Sequence, residues 1–274
     1  MVWGIMMNNQ QYISLNSKQA GSTLIVVLFL LLIIMVIGTY AIKSGITSLR
    51  ISTNAQINQL LAQSADTPLQ KYLNTADLNR LMSYSTAVGA AIDETRPNRE
   101  FIFCYRPTVN RGFGSISDTS VIMPNETGNA ARLADSGISG FCDLSRDFGS
   151  ARQAVVTQVA ITIPRTVDET KEAGSHLARG TNLSAGSGLP KNLVSSQPIR
   201  VTTTAFLPAY ASVSIDEVQA ACLSSNNIFI SDNLSSELSD KKTLKECLMD
   251  FNIPVVSQVQ EFALASFLEQ TVAP

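Results

Sequence analysis

Few residues in this 274-residue chain have types and spacings suited to covalent or metal chemistry. Four cysteines, Cys104, Cys142, Cys222 and Cys247, form no C-x-x-C pair, and the chain has one histidine, His176, so a zinc ligand set is not expected. An even cysteine count without metal spacing points instead to two disulfides and an oxidising compartment. Three pairings are open. Near-neighbour bridges, Cys104 with Cys142 and Cys222 with Cys247, are favoured because each closes its loop within one region of the chain. Closing loops of about 39 and 26 residues would each stabilise the fold by roughly 3.5 to 4 kcal/mol.

Catalytic groupings are no better supplied. A Ser-His-acid or Cys-His arrangement would depend entirely on His176, which lies in a Gly-rich stretch. Ser239-x-x-Lys242 has a Ser-Lys spacing, but a chain this rich in serine produces it by chance. Gly112-Phe113-Gly114 does not extend to a phosphate-binding G-x-G-x-x-G. Asp232, Glu237 and Asp240 could gather calcium, yet their spacing fits no known loop and suits a solvated acidic face better. Phe101, Phe103 and Tyr105 alternate as one face of a buried strand. The 20 basic and 22 acidic residues are nearly balanced and scattered, with no patch for nucleic acid. The expectation is a protein without enzyme activity, cofactor or metal.

The stretch that positions everything else is Ala20 to Ile42, AGSTLIVVLFLLLIIMVIGTYAI, twenty-three residues without a charge. As a helix it spans about 35 Å, enough to cross a bilayer core with slight tilt. A secretory signal has its small-residue cut site after the apolar core, which here would be Gly38 to Ala41 at best. In this chain Lys18-Gln19-Ala20-Gly21 comes first.

A Gly immediately before a retained apolar helix resembles a type IV prepilin. The segment GSTLIVVLFLLLIIMVIGTYAIKSGITSLRISTNAQINQLLAQSAD, residues 21 to 66, resembles the start of a PilX-type minor pilin. VVTQVAITIP at 155 to 164, IRVTTTAFLPAY at 199 to 210 and VQEFALASFLEQT at 259 to 271 are similar to that family's segments in the same order. The resemblance implies an α+β pilin-like fold, with a long membrane-spanning helix packed on an antiparallel β-sheet domain. It divides the chain into a leader (1–21), a transmembrane helix (22–43), an amphipathic continuation (44–84) and a periplasmic disulfide-bonded β-rich domain (85–274). Prepilin peptidase would cut between Gly21 and Ser22, and the new Ser22 amine would be N-methylated. Met6 and Met7 are both candidate starts, and initiation at Met7 would shorten the leader.

The resemblance further implies a minor pilin that primes fibre assembly and supports adhesion, twitching motility or DNA uptake. Its partners would be other minor pilins, the major pilin, the inner-membrane assembly platform and a large tip adhesin, with no direct nucleic-acid contact. It would sit singly across the bacterial inner membrane and then in the extracellular fibre. The alternatives are a type II secretion pseudopilin or a membrane-anchored periplasmic binding domain. Two departures stand out: Ser22 and Val26 occupy positions where pilins commonly carry Phe and Glu. A Glu in hydrocarbon is tolerable only beside a neighbour's amine, so Val26 suits a subunit at the fibre tip with no such neighbour. Lys18 on one side faces Lys43 and Arg50 on the other, so charge does not orient the helix.

Beyond Lys43 the pattern turns amphipathic, with Ile46, Leu49, Ile57, Leu60 and Leu61 on one face. Gly38 and Gly45, near one face, could pack helices closely or mark where the pilin helix loosens. Thr67-Pro68 predicts a bend or restart, with helix to about Tyr84. Strands are expected at Phe101 to Tyr105, Thr119 to Met123, Val155 to Ile163 and Ile199 to Leu207, the last two as partners. On Val155 to Ile163, Gln158 and Thr162 should face outward. On its partner, Arg200, Thr202 and Thr204 should do the same. Residues 124 to 150 read as loop, and 170 to 198 as an exposed excursion. Ser214 to Leu223 reads as helix, Asn227 to Ser231 as strand and Thr243 to Met249 as a helical turn, a closing segment that resembles the cysteine-bounded region of pilins. Ile253 to Thr271 should supply a last strand and a short helix.

Overall fold

The computed structural model describes residues 22–73, 78–94, 96, 98–107, 113–125, 130–134, 137–149, 153–164, 194–225 and 227–267. Helix α1 is Ser22–Leu73, and the boundary between two compact units, Met1–Ala55 and Gln56–Pro274, falls within it. In the first unit the helix is apolar to Ile42, and threonine hydroxyls along it bond back to the helix backbone. Thr39 donates to the Val36 carbonyl at 2.9 Å and Thr47 to Lys43 at 3.0 Å. Such back-bonding lowers the cost of placing the Thr39 hydroxyl on an otherwise apolar surface.

In the second unit the end of α1 lies on a six-stranded antiparallel sheet. The strands are β1 (Glu100–Cys104), β2 (Ser120–Pro124), β3 (Ala131–Leu133), β4 (Val156–Thr162), β5 (Val194–Phe206) and β6 (Val255–Phe267), in spatial order β3-β2-β1-β4-β5-β6. Leu61, Ala65, Leu69 and Tyr72 recur at spacings of three and four and are all buried. Helices α2 (Leu78–Leu81) and α3 (Ala87–Asp93) follow, α3 capped by Thr86, whose hydroxyl oxygen accepts the Gly89 amide at 3.1 Å. α3 joins α1 on the sheet face formed by Phe101, Phe103, Val121, Val159, Ile161, Ile199 and Val201. Gly114 has φ +69° and its Cβ would fall 2.6 Å from the Phe103 ring, so only glycine fits there.

The expected bend at Thr67-Pro68 is not present as a break: helical structure continues through Pro68 to Leu73. An interior proline costs about 3 kcal/mol; burying Leu69 beyond it returns roughly 1.5 to 3 kcal/mol, and the Tyr72 ring adds contacts with Phe113 and Phe262. Sheet side chains also hold the turn before it, with Thr203 Oγ1 donating to the Ala65 carbonyl at 2.8 Å and Gln258 Nε2 to Ala62 at 3.3 Å.

The opposite sheet face is covered as well. Helices α4 (Ile215–Cys222) and α5 (Leu244–Asp250) pack with Phe141, Leu144, Ile228 and Ile230 over Ile102, Ile122, Val156, Ala160 and Phe206. Hence Gln158, Thr202 and Thr204, expected to face outward, are buried, and Arg200 is mostly covered. Three further expectations change. Residues 124–150 contain the short strand β3; Ile228 and Ile230 make single bridges rather than a strand; and β5 begins at Val194, within the expected loop. β6 takes the tail to Phe267 as strand, and the expected short helix beyond it falls outside the described residues, as do 170–193.

Candidate functional site

Two surfaces of the chain carry its distinctive chemistry. The first is the outside of α1. Ser22 opens the helix, and every large apolar side chain from Leu24 to Ile37 is between 43 and 76% exposed within the single chain. Val26 is 54% exposed on that surface. Among the described residues one helix is long and apolar enough to cross a membrane, and this is it. An unbroken sleeve of exposed Leu, Ile and Val has no stable place in water; it needs lipid or other helices around it. Ile46 and Leu49, expected to pack on a domain, are exposed too, and burial of the helix begins at Ile57. Gly21, the other half of the expected cut site, lies outside the described residues.

The second is the disulfide-bonded layer over the sheet. Cys104, at the end of β1, bonds Cys142, and Cys222, at the end of α4, bonds Cys247 in α5, with Cα separations of 4.9 and 5.9 Å. These are the near-neighbour bridges. The second ties the two short helices together, each of which is capped: Ser214 oxygen accepts the Glu217 amide, and Thr243 forms a reciprocal capping box with Glu246.

Beneath this layer lies a buried ionic cluster. Glu100 is fully buried at the start of β1, and its Oε2 accepts the Ser231 amide at 2.9 Å. Burial, reinforced by the neighbouring Asp232 charge, pushes its carboxyl up to about 8, against the smaller opposing effects of Ser231 and Arg200. Asp232 accepts from Thr202 Oγ1 at 2.6 Å and from Arg200 at 3.3 Å, and Arg200 also holds Glu261 at 2.8 Å. Asp232 is therefore not part of a solvated acidic face with Glu237 and Asp240. Glu237 accepts from Asn98 and Asp240 pairs with Lys241. Among the described residues no three acidic, His or Cys side chains gather as a metal site.

Residues 20–70 match the family model described as PilX N-terminal. The chain is similar there to type IV pilins of the PilX family. The matched segment is nearly coextensive with α1, and the long apolar helix with its antiparallel sheet is a pilin-like α+β architecture. No curated protein and no solved structure matches the chain.

The remaining sequence candidates are not brought together. His176 and Gly112 lie outside the described residues. Lys242, half of the Ser239-x-x-Lys242 spacing, is salt-bridged to Asp250 and sits 5.6 Å from the centre of the Phe229 ring. Phe101, Phe103 and Tyr105 are all buried on the α1-facing side of the sheet. Glu100 went unnoticed in the sequence; its signal was an acid in register with Ile102 and Cys104 on a strand apolar on both faces.

Proposed function

We propose that this protein is a minor pilin of a type IV pilus that primes fibre assembly at or near the tip and thereby supports surface display of the fibre. The observation that carries this reading is the exposed apolar sleeve of α1 within a PilX N-terminal segment. Such a helix can reside in the inner membrane and then pass sideways into a bundle of similar helices, because both surroundings are apolar. Prepilin peptidase cuts between Gly21 and Ser22, and the Ser22 amine is methylated. The disulfide-bonded sheet domain then lies in the periplasm and, after assembly, outside the cell. Its partners are the other minor pilins, the major pilin, the assembly platform and a tip adhesin, and the fibre serves adhesion, twitching or DNA uptake. Val26 supports the tip position, since an apolar side chain there asks for no neighbouring amine.

The test is genetic and direct. Deleting the gene in its source cell should reduce sheared surface fibres at least tenfold, with recovery on re-expression. Fibre yield unchanged by deletion would overturn the reading. Val26→Glu should shift the protein from the tip into the shaft or impair priming; an unchanged position and fibre number would remove the positional role.

A further inference from the structure

The sheet ends differently at its two edges. β3 is three residues long, and Ala131 is bridged onward to Ile228, whose carbonyl accepts the Ala131 amide at 2.7 Å. That edge is closed by the chain itself. β6 spans thirteen residues and is the terminal strand of the sheet, paired among the described residues with β5 along its whole length.

The register tells which backbone groups of β6 are left unpaired among the described residues. The Leu207 amide donates to the Pro254 carbonyl at 3.2 Å, one pair beyond Phe206 and Val255. Bonded and non-bonded pairs alternate along an antiparallel ladder. Val256, Gln258, Gln260, Phe262 and Leu264 therefore direct their N–H and C=O groups at β5. Val255, Ser257, Val259 and Glu261, and the alternate positions beyond them, direct theirs away from the sheet. At about 3.4 Å per residue this edge is roughly 40 Å long. Sheets usually blunt such an edge with Lys, Pro, a bulge or a short strand. β6 has neither Lys nor Pro, and its pairing with β5 is continuous.

Glu261 is the one charged residue of the strand. Arg200, its partner, is shared with Asp232, and the Glu261 side chain remains 55% exposed. One guanidinium thus serves two carboxylates at the margin of the sheet, and β6 itself carries no basic residue.

We propose that the outer edge of β6 receives an extended strand from a different polypeptide, with a basic residue set against Glu261. Main-chain hydrogen bonds hold the added strand, and the Glu261 charge sets its register. A second copy of this chain is a poor occupant, because antiparallel pairing centred on the strand places Glu261 against Glu261. The proposal rests on the reading that the chain works within a multi-subunit assembly.

The test is residue-level amide exchange on the full-length chain, alone in detergent micelles and in the complex extracted from its own membranes. The amides of Val255, Ser257, Val259 and Glu261 should exchange at least a hundredfold more slowly in the complex. Those of Gln258 and Gln260 should be slow in both. Equal rates at the four outward amides overturn the proposal, as does extraction of the chain without any other polypeptide, or protection that appears with the pure chain alone. Val259→Pro removes an outward N–H while leaving the β5 ladder intact, and should reduce co-extraction at least tenfold with both disulfides formed. Glu261→Gln, a milder change, should weaken it several-fold. Wild-type co-extraction by both variants overturns the proposal. Protected outward amides in a membrane complex, with the chain absent from sheared fibres, would uphold the edge and defeat the pilus reading instead.

Discussion

Removing the Cys222–Cys247 bridge by the paired substitution Cys222→Ala with Cys247→Ala should destabilise the second unit substantially. The bridge closes a loop with a sequence separation of 25. Chain entropy for such a loop amounts to about 3.5 kcal/mol at room temperature. Both sulfurs lie in the core between α4 and α5. Alanine keeps those positions apolar, so the loss of the cross-link dominates and no buried polar group is introduced. For a domain of roughly 200 residues each kcal/mol moves the melting temperature by about 2 to 4 °C, which gives a fall of about 7 to 14 °C. The assay is thermal unfolding of full-length protein in detergent, followed by near-ultraviolet circular dichroism, beside the Cys104/Cys142 double alanine variant. That second bridge has a separation of 38 and should be worth slightly more, about 3.9 kcal/mol. A fall of less than 2 °C for either variant would refute the reasoning, since it would mean that the sheet and its cover hold together without the cross-links.

Three further outcomes follow from named contacts. The Glu100 carboxyl, ordinarily near 4.5, is raised to about 8 in the folded chain, so its contribution is fully present below the unfolded value and is lost as pH rises through the folded one. The wild-type melting temperature should therefore fall relative to Glu100→Gln between pH 5 and pH 9, and parallel pH profiles would contradict this. Thr243→Ala removes the capping box of α5 and should cost about 1 kcal/mol, read as a loss of about 2 to 4 °C; an unchanged melting point would sink it. Gly140→Ala would place a Cβ 2.1 Å from the Ile102 carbonyl oxygen and 2.3 Å from the Ser120 amide nitrogen. That overlap is with backbone, so the variant should lose about 1 to 3 kcal/mol or more, visible as reduced yield of correctly disulfide-bonded protein.

How much of this was legible beforehand depended on whether one element or two decided a residue's surroundings. The apolar helix, the β4–β5 pairing and the helices carrying Cys222 and Cys247 were readable because a local pattern suffices for each. Thr202, Thr204 and Gln158 were misjudged because alternation shows which side a residue takes, not whether that side is covered. Here the layer built from α4, α5 and residues 137–149 turns an outer face into an inner one, where Thr202 finds Asp232 and Thr204 approaches Ser257 Oγ at 3.2 Å. β3, with the sequence Ala-Arg-Leu, was too short to show a period. Ile228 and Ile230 are apolar because they pack beneath α5, not because they belong to a ladder. Pro68 suggested a break, but tertiary burial on either side outweighed the local penalty. The ionic cluster was invisible because Glu100, Arg200 and Asp232 are distant in sequence and meet only when β1, β5 and the 230s segment close over one another.

The fate of the apolar helix decides what this protein is, and the chemical state of its beginning can be measured directly. Mass spectrometry of the N-terminal peptide, from protein purified out of the source cell's membranes and from sheared surface fibres, should find a chain that starts at Ser22 with a methylated amine in both. A chain that retains residues ahead of Ser22, or one cut beyond the helix, would contradict it.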